Sequence, residues 1–339
     1  MKVLLTWQAT PEEVARFAAA LPRDASVVAQ PTAPCFSRFD CDLTAITPHL
    51  AEADVIVGWV LPPGALERAG RLKLLVWMHA GCDELDFPAL KARGIRVANI
   101  RGANASAVTE HAIALLLSLA KRLPQAHGDF LAGRTNPYYV AGANAAMLEG
   151  RTVGIVGLGN IGTAIARRLK AFDMHVLATR RDPGRDSRHV DAVFGPEGLH
   201  EMLGASDYVV LALPMTTETD GLFGPAEFAA MKPGAFLVNI ARGNLVQETA
   251  LADAVASGRL AGYGADVWWF YANAYPASYH FPAPSRTGVH RLANVLGTGG
   301  QASNATGVID QSLAQAIESV ADFAADRQPR RSIDLNLGY

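Results

Sequence analysis

The sequence predicts an α/β protein built on two open parallel sheets with helices on both faces. Short apolar runs alternate with segments of helical period along almost the whole chain, the pattern such layers require. The runs fall into two series on either side of a long Ala- and Leu-rich segment. A length of 339 residues suits two domains of ordinary size.

The first series supplies strands at Lys2–Trp7, Ser26–Ala29, Asp54–Trp59, Leu72–Trp77 and Ile95–Ile100. Helices such as Pro11–Leu21 and Pro62–Ala69 lie between them, the first opened by Pro11-Glu12-Glu13. The second series runs Thr152–Gly157, His175–Thr179, Tyr208–Leu213, Ala235–Ile240 and Gly262–Val267. Between the series, Ser106–Arg122 contains a stretch apolar on nearly every face, which should be buried between domains or at a subunit contact. A last helix, from about Asn304 to Ala325, is placed to carry the chain back onto the first series.

The charge balance, Lys+Arg 30 against Asp+Glu 32, has no long basic block and so no footprint for nucleic acid or an acidic membrane surface. A small-molecule partner is expected. Cys35, Cys41 and Cys82 form neither a disulfide framework nor a zinc pattern, and read as reduced, mostly buried thiols with no metal site. The longest apolar stretch, Ala112–Ala120, is interrupted by Ser118 and is far shorter than the roughly 20 residues of a membrane span. The opening run Met1–Trp7 is too short for a signal segment, so a cytoplasmic protein is expected.

The strongest motif is Val153-Gly154-Ile155-Val156 followed by Gly157-Leu158-Gly159-Asn160-Ile161-Gly162 and a helix at Thr163–Phe172. Strand, GxGxxG and helix in that order form a dinucleotide site. Gly157 permits the tight turn, Gly159 lets the pyrophosphate approach the backbone, and Gly162 lets helix and strand pack closely. Where an acidic residue would receive the ribose hydroxyls of NAD, the next strand ends in Thr179-Arg180-Arg181-Asp182. The Arg180–Arg181 pair suits a 2′-phosphate and favours NADP over NAD. The alternatives are solvated strand-end charges stacking on adenine, with Asp182 accepting from the ribose.

With Asn104–His111, the glycine motif, Leu213–Thr219 and Val238–Val246 in that order, the chain resembles the D-isomer-specific 2-hydroxyacid dehydrogenase family. That family includes glyoxylate/hydroxypyruvate reductases and, more distantly, phosphite and formate dehydrogenases. The resemblance implies two Rossmann-like, flavodoxin-like domains with a cleft between them. Residues 1–100 plus 305–339 would form the substrate domain, and 101–304 the dinucleotide domain including the crossover helix. A homodimer is implied as well. By the same resemblance Arg242 binds a substrate carboxylate bidentately, a task suited to its planar fork. Asp266 holds the nicotinamide carboxamide, and Val108, Leu213, Pro214, Thr219, Ile240 and Ala241 line the cofactor. His79, Ala80 and Gly81 form the loop whose amides receive the carboxylate. Glu110-His111, tempting as an acid/base pair, sits in this family at a helix start and serves structure, with a direct catalytic role for His111 the weaker reading.

The resemblance also implies a proton-donating His oriented by a Glu. Here Tyr271 stands where the Glu is expected and Gly300 where the His is expected. Between them lies an aromatic-rich segment from Trp268 to His290, which suits either a pocket for an aromatic substrate or a hydrophobic interface patch. Three readings follow. Tyr271, His280 or His290 has taken over proton donation; the substrate is a hydride donor such as formate and needs no acid; or the protein is an inactive dinucleotide-binding sensor. The first is preferred, because Arg242, Asp266 and the carboxylate loop are all present. The expected activity is hydride transfer between NADP(H) or NAD(H) and a small 2-oxo or 2-hydroxy acid, aromatic where the Trp268 segment lines the pocket, or a related oxyanion.

Overall fold

A computed structural model describes residues 1–34, 37–134, 144–184, 187–270 and 284–339. Among these the chain divides into two compact units, one holding 1–104 and 306–339, the other 105–270 and 284–305.

In the first unit the elements run β1 (Lys2–Leu5), α1 (Pro11–Ala19), β2 (Ser26–Ala29), α2 (Leu43–Leu50), β3 (Val55–Gly58), α3 (Ala65–Arg68), β4 (Leu74–Trp77), α4 (Phe87–Ala92) and β5 (Arg96–Asn99). All strand pairs are parallel, in the order β2-β1-β3-β4-β5, the flavodoxin-like arrangement. Side chains alternate between the two sheet faces, as a period of two dictates. Val3, Leu5, Val55, Val57, Leu74 and Val76 pack with Leu313, Ala316 and Val320 of the C-terminal helix Val308–Ala324. Leu4, Ile56 and Leu75 pack on the other face with Ile46 and Leu50 of α2.

Thr10 and Glu13 form a capping box at the start of α1, with Pro11 in the first turn. The buried Glu13 carboxylate also accepts from the Trp7 ring N–H at 3.1 Å and from both Arg38 guanidinium nitrogens at 2.9 Å. Burial pushes its carboxyl up, but the Arg38 fork, the Thr10 amide and the Trp7 ring outweigh that and hold it below the ordinary glutamate value.

The second unit contains α5 (Ala105–Ala120), α6 (Leu123–Leu131), β6 (Thr152–Val156), α7 (Asn160–Lys170), β7 (His175–Thr179), β8 (Ala192–Phe194), α8 (Leu199–Ala205), β9 (Tyr208–Leu211), α9 (Pro225–Ala230), β10 (Ala235–Asn239), α10 (Glu248–Ala256), β11 (Leu260–Ala265) and β12 (Val295–Gly297). Its seven parallel strands lie in the order β12-β11-β10-β9-β6-β7-β8. Counted from β6, this is the doubly wound dinucleotide order with one strand added, and its switch point lies between β6 and β9.

The predicted strands are found, most of them one or two residues shorter. β8 and β12 are three-residue edge strands whose sequence carries little period, and the expected series omits them. The expected helix Pro62–Ala69 shrinks to α3 because Gly64, at φ 83°, holds the preceding turn. The long apolar helix ends at Ala120, and Arg122 turns the chain in the left-handed region at φ 54° before α6. α5 buries Val108, Ala112, Leu115, Leu116 and Leu119. Its Leu115 and Leu119 lie over Gly262 and Gly264 of β11, where a Cβ would crowd them at 3.0–3.4 Å. Cys41 and Cys82 are buried thiols outside any disulfide, as expected, and Cys35 lies outside the described residues. Among the described residues no helix is long and apolar enough to cross a membrane.

Candidate active site

The glycine turn follows directly from β6. Gly157 has φ 99°, a left-handed conformation that favours glycine, and a Cβ there would stand 2.8 Å from the Ala212 carbonyl oxygen. At Gly162 a Cβ would run into the Gly157 carbonyl, so α7 can approach the turn only without one. Gly159 is different. A Cβ there meets nothing within 4 Å, and the residue caps α7 with no side-chain hydrogen bond, leaving first-turn N–H groups for a ligand. Open space beside uncapped amides, at the positive end of an 11-residue helix, fits a pyrophosphate.

The neighbouring strand ends continue this edge. Arg180 follows β7 and donates to Ser187 Oγ at 3.0 Å, while the exposed Arg181 pairs with Glu218 at 3.2 Å. After β9, Thr219 Oγ1 donates to the Pro214 carbonyl at 2.9 Å and accepts from the Thr216 amide at 2.8 Å. The hydroxyl proton of Thr219 therefore braces its own loop.

Arg242 is set by a residue that sequence reasoning did not single out. Asn239, fully buried at the end of β10, donates through Nδ2 to the Arg242 carbonyl at 2.8 Å and accepts the Ala241 amide on Oδ1 at 3.0 Å. This turn fixes Arg242 in extended backbone, and its guanidinium Nη1 reaches the Ala241 carbonyl at 2.9 Å. Gly243 must lack a side chain because a Cβ would strike the backbone of Trp268 and Trp269. An amide side chain ending a buried apolar strand is itself a signal, since buried polar groups are nearly always hydrogen-bonded.

Asp266, 5% exposed after β11, accepts from Thr298 Oγ1 at 2.6 Å and the Gln301 amide at 2.8 Å on Oδ1, and from the Ala302 amide at 2.8 Å on Oδ2. Its backbone carbonyl accepts the Gly300 amide at 2.9 Å. The carboxylate thus shapes residues 298–302. His111, from the second turn of α5, lies 2.8 Å through Nε2 from Thr298 Oγ1 and 3.6 Å from Asp266 Oδ1. Gly300 has φ 71°, so the position expected to hold histidine has a backbone that disfavours any side chain.

Residues 113–299 match the family model for the D-isomer specific 2-hydroxyacid dehydrogenase, NAD binding domain. The chain belongs to this family. Formate dehydrogenase 2, mitochondrial, of Oryza sativa subsp. japonica is 36% identical over 229 residues, covering 65% of this chain and 60% of that protein. D-3-phosphoglycerate dehydrogenase of Archaeoglobus fulgidus is 36% identical over 205 residues, covering 60% of this chain and 38% of the other. The matches therefore span less than two thirds of these relatives' lengths. An acyclic imino acid reductase solved with NADPH and D-Arg has a TM-score of 0.80 at 23% identity, over 98% of this chain and 100% of that one. The NAD-dependent formate dehydrogenase of Staphylococcus aureus, solved with NAD, gives 0.76 at 24% identity, over 98% and 99%. At these identities the likeness is one of fold.

In this D-2-hydroxyacid dehydrogenase family member the seven-stranded sheet gathers the glycine turn, Arg180, Leu213, Ile240, Ala241, Arg242 and Asp266 at one carboxyl edge. Val108 lies one turn before His111 on α5 and is buried. Trp268 departs from both readings of the aromatic segment. It is 5% exposed in the unit's own core, edge-on to Tyr263 and Trp269, with its ring N–H donated to the Thr298 carbonyl at 2.9 Å. It thus neither walls a pocket nor forms a surface patch. His290 packs edge-on against Trp268 at 6.2 Å, and its Nδ1 is buried without a hydrogen-bond partner among the described residues. Tyr271 and His280 lie outside the described residues.

In the first unit, the loop after β4 holds His79, Ala80 and Gly81. His79 Nε2 lies 2.9 Å from the Trp59 carbonyl. Asn99 donates to the Ala80 carbonyl at 2.7 Å and the Trp77 ring to that of Gly81 at 3.1 Å. The Ala80 and Gly81 amides find no acceptor among the described residues.

Proposed function

We propose that the protein is an NAD(P)-dependent oxidoreductase that interconverts a small 2-oxo acid and the corresponding 2-hydroxy acid, or acts on a related oxyanion. The observation that carries this reading is the shared edge: the glycine turn that accommodates a pyrophosphate and the Asn239-braced Arg242 end strands of the same sheet. A bound nicotinamide supplies or accepts the hydride. Arg242 holds the carboxylate with its planar fork and polarises the neighbouring carbonyl. The Ala80 and Gly81 amides, which have no acceptor among the described residues, are donors suited to a substrate carboxylate.

Arg180 and Arg181 directly after β7, where an acidic residue would receive the ribose of NAD, with Ser187 hydrogen-bonded to Arg180, support NADP over NAD. The exposed Leu123, Phe130 and Leu131 of α6 support a homodimer.

The test follows nicotinamide absorbance with NADPH and NADH against glyoxylate, hydroxypyruvate, pyruvate and phenylpyruvate, and with the oxidised cofactors against formate and phosphite. Oxidation of the reduced cofactor by a keto acid, abolished in Arg242→Ala with dinucleotide affinity retained, is the expected result. Retained turnover in that variant removes Arg242 from the mechanism. Cofactor reduction by formate alone replaces the keto-acid reading. For Arg180→Asp with Arg181→Ala, the Michaelis constant rises far more for NADPH than for NADH; equal changes remove the 2′-phosphate assignment.

A further inference from the structure

Resting on the proposed keto-acid reduction, we propose that His111 delivers the proton to the substrate oxygen, oriented by Thr298 and Asp266. The orientation follows from counting protons. Thr298 has one hydroxyl proton and gives it to Asp266 Oδ1 at 2.6 Å. Toward His111 the same oxygen can only accept, so Nε2 carries a proton and donates across the 2.8 Å contact. Asp266, held by the Gln301 and Ala302 amides, is a fixed carboxylate 3.6 Å from Nε2. This leaves Nδ1 as the exchangeable position. It has no partner among the described residues, and the side chain keeps 22% exposure.

The place is suitable as well. Thr298 follows β12 and Asp266 follows β11, so His111 is tied to the carboxyl edge where doubly wound sheets bind ligands. His290 is less suited, because its Nδ1 is buried beside Trp268. In the step, hydride reaches the carbonyl carbon and the C=O pair moves onto oxygen. That oxygen takes the proton from His111 Nδ1: the N–H bond breaks, the O–H bond forms, and a neutral imidazole remains with its Nε2–H on Thr298. Water reprotonates Nδ1 after product leaves.

The test has two readouts. In the protein without cofactor, ¹⁵N NMR of the neutral ring should show the proton of His111 on Nε2 and the lone pair on Nδ1, with the hydrogen-bond shift of Nε2–H lost in Thr298→Val. A lone pair on Nε2 overturns the proposal. In single-turnover reduction of the best keto acid, His111→Gln should slow the step by about 10²–10³-fold and Thr298→Val by about tenfold, with cofactor affinity within twofold of wild type. If wild type turns over and His111→Gln does so equally well, the proposal falls while the keto-acid reading stands. The same holds if Tyr271→Phe or His280→Ala, and not His111→Gln, stops the reaction. A wild-type protein that reduces no keto acid overturns both.

Discussion

Replacing Asn239 by alanine removes the two hydrogen bonds that hold Arg242. The Arg242 carbonyl and the Ala241 amide then lose their partners at 2.8 and 3.0 Å in a site where Asn239 itself is 0% exposed. Each buried group left unpaired costs about 1–3 kcal/mol. A water entering the vacated amide volume recovers part of this, so a total of about 2–3 kcal/mol is expected. For a folding unit of this size, that lowers the melting temperature by about 5–10 °C. Because the same turn aims the guanidinium, kcat/KM for the keto acid should fall by about 10–100-fold while dinucleotide affinity holds. Asn239→Asp keeps the acceptor for Ala241 but sets a carboxylate against the Arg242 carbonyl, and should be nearly as damaging. Calorimetry and steady-state kinetics on both variants decide the matter. A melting shift under 2 °C together with unchanged kcat/KM would refute the claim that Asn239 positions Arg242.

The second and third glycines of the turn should respond in opposite ways. Gly162→Ala drives a Cβ onto the Gly157 carbonyl and should cost about 1–3 kcal/mol in chemical denaturation. Gly159→Ala has open space around it, so the fold should melt as wild type while calorimetric dinucleotide affinity drops about tenfold or more; unchanged affinity would move the pyrophosphate elsewhere. In the first unit, the depressed carboxyl of Glu13 contributes stability that is fully present above its unfolded value, near 4.5, and is lost as pH falls through the lower folded value. Denaturation of wild type and Glu13→Gln at pH 7 and at pH 3 should therefore show the gap between them narrowing in acid. A gap that is constant with pH contradicts an ionised, Arg38-paired Glu13.

The glycine turn was fully legible in the sequence, and so was the parallel α/β class. Both are local matters. A left-handed φ at Gly157 and a helix pressed against its carbonyl at Gly162 require glycine whatever the rest of the chain does. The alternation of β1, β3 and β4 side chains between the cores on the two sheet faces likewise follows from the two-residue period of a strand. Arg242 could be located at the end of its strand from the flanking residues, but Asn239's role in aiming it could not. An asparagine at a strand end is compatible with many partners until the turn that follows has a shape.

Partners distant in the chain were decided by the tertiary structure. His111 and Thr298 are 187 positions apart, and they meet because the strand order carries β11 and β12 beneath the start of α5. Nothing in the local pattern around either residue specifies that meeting. Trp268 makes the same point for packing. As a residue in an aromatic-rich stretch it could equally wall a pocket or fill a core. Its place was settled by Gly297, where a Cβ would collide with its ring, by the edge of Tyr263, and by the Thr298 carbonyl waiting for its N–H. Backbone geometry is read from neighbours in sequence, whereas the pairing of a donor with its acceptor depends on which strands lie side by side.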